Sequence, residues 1–122
     1  MTRLGRVRHE LLALHRALLD AERIRYERLH GRVSPGTFLE LVIGAPELAW
    51  LRPMTALIVA IDELLDGKEA LAEKDEADYL ADVRKLLVAD PSGGDFEQRY
   101  AAALHDTPDI VLAHGAVMRA LS

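Results

Sequence analysis

The chain has 122 residues, half of them apolar, with 15 Lys and Arg against 20 Asp and Glu and no cysteine, the make-up of one compact domain over residues 1–122 with a sizeable core. The missing thiol excludes a disulfide framework, a thiolate zinc site and a cysteine nucleophile. The longest apolar stretch, Leu57 to Ile61 with Ala56 before it, falls far short of the roughly 20 residues of a membrane span, and no apolar signal core follows Arg3, Arg6 and Arg8, so the chain is read as cytoplasmic with no membrane partner.

Charge is uneven. Residues 1–32 hold eight arginines against Glu10, Asp20, Glu22 and Glu27, whereas the remaining ninety residues hold seven bases against sixteen acids. A basic first segment suits either nucleic acid or an acidic partner helix in the same chain or a second copy.

Leu4, Val7, Leu11, Leu14 and Leu18 recur at steps of three and four, which gathers them on one face of a helix running from Thr2 to His30 and ended by Gly31 in a left-handed cap. Ser34 and Pro35 offer an N-cap and a first-turn proline for a second helix with Phe38, Leu41 and Val42 on its apolar face, interrupted at Gly44, Ala45 and Pro46. A short helical turn through Trp50 and a junction at Arg52 and Pro53 lead into a strongly apolar helix carrying Met54, Leu57, Ile58, Ile61, Leu64 and Leu65. This is expected to be the most buried segment. Its β-branched residues suit a strand, but the run continues through Asp62, Glu63 and Asp66 with helical spacing.

Gly67 ends that helix, and the charged stretch from Lys68 to Asp78 reads as partly loop before Tyr79, Leu80, Val83, Leu86 and Leu87 define a third helical face. After the linker Asp90 to Gly94, Asp95 is expected to cap a helix bearing Phe96, Tyr100 and Leu104, and Thr107 with Pro108 to open a last one through Leu121. The expected fold is all-α, a compact bundle of four main helices with a long first helix and a proline-interrupted second. An apolar excess along the first helix would be covered most simply by a second copy, so a homodimer is expected.

Few residues point to chemistry. Glu27 and His30 form one Glu-x-x-His pair, where carboxylate di-metal bundles use two, and His15 with Asp20 lacks companion histidines at the spacing that hemerythrin-like bundles use. No metal site, cofactor or catalytic residue is therefore expected. His114 stands among Ile110, Val117 and Leu121 on the apolar face of the last helix, where an imidazole must find a partner, as a ligand or as a core histidine. Glu22, Arg25 and Tyr26 continue the apolar stripe of the first helix, so its inner surface turns polar, with Arg52, Asp62 and Glu63 as candidate partners across the bundle. Trp50, the single tryptophan, lies at a proline-defined corner and either anchors a partner or plugs the bundle end. Pro91 to Gly94 form at most a weak anion nest, opposed by Asp95.

Ala49 to Pro53 with Leu57 to Leu65, together with Asp109 and Val111 to His114, resemble a group of small uncharacterised bacterial all-helical proteins with an AWLRP…LIVAIDELLD core and a C-terminal DIVLAH segment. The resemblance implies a bacterial, cytoplasmic setting and carries no activity with it. The leading expectation is a non-enzymatic protein-interaction or assembly module. Its rival is a small-molecule binder or enzyme with a polar pocket, for which Glu22, Tyr26, Trp50, Arg52, Asp62 and His114 are the candidate ligand-binding residues. Nucleic-acid binding is not expected, because the arginines are spread around the first helix instead of lining one face.

Overall fold

A computed structural model describes residues 2–67 and 69–122 and contains, among them, helices and no strand. Six α-helices follow one another: α1 (Arg3–His30), α2 (Pro35–Gly44), α3 (Arg52–Leu65), α4 (Glu73–Leu86), α5 (Asp95–Asp106) and α6 (Pro108–Leu121), with a 3-10 helix, Pro46–Leu51, between α2 and α3. The all-helical expectation holds and the count of four is corrected to six. The proline-marked corners do not merely bend long helices; they separate independent ones. Lys68, where the charged stretch was expected to begin as loop, lies outside the described residues. Helix α4 starts earlier than its apolar face, at Glu73, because Glu73, Asp75 and Glu76 in its first turn and Arg84 and Lys85 in its last complement the helix dipole.

Helix α1 is 28 residues long, about 42 Å. The Thr2 side chain accepts from the Gly5 amide (2.9 Å) at its start, and Gly31 ends it at φ 87, ψ 173, a positive-φ conformation that costs a Cβ-bearing residue energy. Ser34 caps α2 through the Thr37 amide as expected. Asp95 does not cap α5: Gly94 occupies the cap position, and Asp95 accepts instead from Arg99 Nε one turn on (2.9 Å). Thr107 stands at the cap position of α6 without a side-chain cap bond.

The five stripe residues of α1 are fully buried, and around them close Met54, Ile58 and Ile61 of α3, Leu80, Val83 and Leu87 at α4, Phe96 and Tyr100 of α5, and Ile110, Val117 and Leu121 of α6. Helix α3 runs antiparallel to α1, since Arg8 pairs with Asp62 and His15 bonds Thr55 (2.9 Å). Helix α6 is the most extensive neighbour of α1. It too is antiparallel, with Ala116 and Ala120 beside Arg6, His9 and Glu10. Arg84 donates to the Leu121 carbonyl (2.7 Å) and ties α4 to the end of α6.

Helix α2 is different. Only Phe38 of its ten residues is buried, and it is held to the body by tethers. Val33 N–H donates to Glu27 (2.9 Å), Arg23 donates to the Val33 carbonyl (3.1 Å) and lies over the Phe38 ring, and Arg52 donates to the Ile43 carbonyl (3.2 Å). No helix among the described residues is long and apolar enough to cross a membrane.

Candidate functional site

The stripe of α1 stops being apolar after Leu18, and there the bundle opens. A cleft of about 420 Å³ lies between the second half of α1, Trp50 and the second half of α5, with Ala21, Ile24, Ala102 and Ala103 on its apolar wall and Glu22, Arg25, Arg28, Arg99 and Asp106 as its charged groups. That volume falls in the range of small-molecule sites. The groove beside it shares Glu22, Arg25 and Arg99 and continues to Tyr26, Leu29 and Glu47.

Burial and charge are layered in this cleft. The Glu22 side chain is 14% exposed and the Arg25 side chain 70%, with their charged atoms 4.0 Å apart. Glu22 therefore sits at the base and Arg25 at the mouth. Burial pushes the Glu22 carboxyl above its usual range, opposed by Arg25, Arg99 and the Trp50 side chain and reinforced by Glu47. Arg99 is engaged with Asp95. Arg28 has no ion-pair partner among the described residues.

From the cleft floor an aromatic ladder runs into the core. Trp50 lies 5.7 Å from Phe96, Phe96 stacks on Tyr100 at 5.6 Å with 12° between planes, and Tyr100 meets His114 at 5.6 Å. The Tyr100 hydroxyl lies 2.6 Å from His114 Nδ1. Burial raises the Tyr100 pKa and lowers that of His114, which favours the neutral form of both, and where the phenol donates to Nδ1 the neutral imidazole carries its own proton on Nε2.

No family model matches the chain, and no curated protein or solved structure matches it either. The geometry alone therefore bears on the candidate residues. It brings Glu22, Tyr26 and Trp50 to the cleft and its neighbouring groove, and places the other three elsewhere. Asp62 pairs with Arg8 of α1, Arg52 holds the end of α2, and His114 faces Tyr100. The polar network expected to join Glu22, Arg25 and Tyr26 to Arg52, Asp62 and Glu63 does not form, because antiparallel packing sets Asp62 against the start of α1 and not its end. Trp50 is 6% exposed and plugs the bundle end as it floors the cleft. Glu27 turns to Val33, while the His30 ring lies tilted against Tyr26, 4.4 Å between centroids, and approaches Glu47. Sequence reasoning missed Arg99 and Arg28. Arg99 shares a helical face with Phe96, Tyr100 and Ala103 at steps of three and four, and that spacing was the available signal.

Proposed function

We propose that the protein is a non-enzymatic assembly module that binds a second copy of itself through α2 and the groove at its base. The supporting observation is that α2 is strongly apolar yet unpacked: Leu39 is 62% and Ile43 69% exposed, although large apolar residues gathered in one place mark interaction surfaces. The groove between α2, the 3-10 helix and α3 is lined by Val42, Leu48, Leu51, Arg52, Thr55 and Ala56, and Ile43 itself forms part of its wall, with Leu39 beyond it. Protruding side chains and an apolar recess thus lie side by side on one face. A two-fold dimer needs that juxtaposition, since each copy inserts what the other receives. The tethers through Arg23, Glu27 and Arg52 hold α2 in place before association, which lowers the ordering cost of binding.

Light scattering across protomer concentration tests the reading. The wild type is expected at twice the 13.5 kDa chain mass. The Leu39→Glu, Ile43→Glu double variant is expected at the single-chain mass with unchanged far-UV circular dichroism, because both positions are outside the core. A wild type that stays at the single-chain mass up to about 500 μM overturns it, as does a double variant that still dimerises.

A further inference from the structure

The cleft floored by Trp50 shares no lining residue with the groove at α2, and it holds charges of both signs above an apolar wall. We propose that it binds a zwitterionic amino acid with an apolar side chain, the ammonium on Glu22, the carboxylate on Arg25 and Arg28, and the side chain against Trp50 and Ile24.

Three observations converge on that ligand class. First, a half-buried carboxylate at the base with guanidinium groups at the mouth complements a small molecule whose cation and anion are adjacent, and a ligand that carries only an anion leaves the Glu22 carboxylate without a partner. Second, burial disfavours the ionised form of Glu22, and a bound ammonium removes that penalty by supplying a counter-charge at short range. Third, the apolar wall is Ile24, 52% exposed, with Ala21, Ala102 and Ala103 beside the small exposed part of the Trp50 indole, so an aromatic or branched aliphatic side chain gains contact area chiefly on Ile24 and the alanines without any polar group being stranded. Arg28 has no ion-pair partner among the described residues, Arg99 is tied to Asp95, and Arg25 lies 4.0 Å from Glu22, so Arg28 is the anion's main partner and Arg25 joins it as the ligand's ammonium takes over Glu22. A guanidinium reads a carboxylate through two parallel N–H donors.

The test uses the full chain and three probes, L-phenylalanine, phenylacetate and phenethylamine, followed by the Trp50 indole resonance and backbone amides in 1H–15N spectra. L-Phenylalanine is expected to shift Trp50 and amides of residues 21–28 and 99–107 saturably, and to bind at least about tenfold tighter than either single-charge probe, the equivalent of one charge-assisted hydrogen bond. Glu22→Gln is expected to abolish the advantage over phenylacetate, and Arg28→Gln the advantage over phenethylamine. Both positions lie outside the hydrophobic core, so both variants retain the fold, which circular dichroism verifies. The proposal is overturned if L-phenylalanine causes no localised shift at about 10 mM, far weaker than useful affinity, if phenylacetate or phenethylamine binds as tightly, or if the two variants bind L-phenylalanine like the wild type.

Discussion

Tyr100 and His114 offer a perturbation whose outcome follows from the geometry of a single bond. Tyr100 is fully buried and its hydroxyl meets His114 Nδ1 at 2.6 Å, while His114 is only half-buried. Removing one partner leaves the other unsatisfied, and the penalty scales with how far that group is from water. Tyr100→Phe leaves an imidazole nitrogen that water reaches in part, for a loss of about 1 kcal/mol. His114→Leu strands a hydroxyl in the core, for a loss of about 2 kcal/mol. In a chain of this size these correspond to melting-temperature drops of about 4 and 8 °C. The double variant has neither polar group and is expected within about 0.5 kcal/mol of the wild type, since replacing both partners of a buried hydrogen bond by apolar groups is nearly neutral. Urea unfolding at pH 7.5 followed by circular dichroism measures all three. Losses that simply add in the double variant, within about 0.5 kcal/mol, would refute the assignment of the bond as a coupled pair.

Stability is also expected to fall as pH drops below about 6.5. Burial lowers the pKa of both His15 and His114 in the fold, so the unfolded chain takes up protons that the folded imidazoles resist, and His114→Leu in the Tyr100→Phe background should flatten that slope in urea titrations at stepped pH. Glu22 has the opposite sign. Its folded-state pKa is raised, so its contribution is present below about 4.3 and is lost as pH rises through the folded value, and Glu22→Gln should be at least as stable as wild type at neutral pH. Fluorescent duplex and single-stranded oligonucleotides titrated at about 150 mM salt should show no submicromolar binding, because Arg8, Arg23 and Arg25 are already paired with Asp62, Glu27 and Glu22.

What could be read from the sequence was what local spacing encodes. The three-and-four rhythm of Leu4 to Leu18 located the face of α1 and every residue in it is buried; Gly31 marked its end and Ser34 the start of the next helix. The start of α4 escaped because its signal lies in acids at one end and bases at the other, with no apolar residue to mark the first turn. The cleft was half legible. Glu22, Tyr26 and Trp50 stood out as polar or amphipathic groups where apolar ones were due, but their partners come from α5, which only the chain's return path brings near. Asp62 and Arg8 are 54 positions apart, and no local pattern announces such a pair.

The attachment of α2 through Phe38 and a few hydrogen bonds has an evolutionary consequence. The residues that stabilise the bundle and the residues that α2 presents outward are almost disjoint sets, so substitutions at Leu39 or Ile43 leave the core of α1, α3, α5 and α6 untouched. A lineage can therefore rewrite the outward surface without first acquiring compensating stability, and the short helix serves as a variable segment carried on a constant frame.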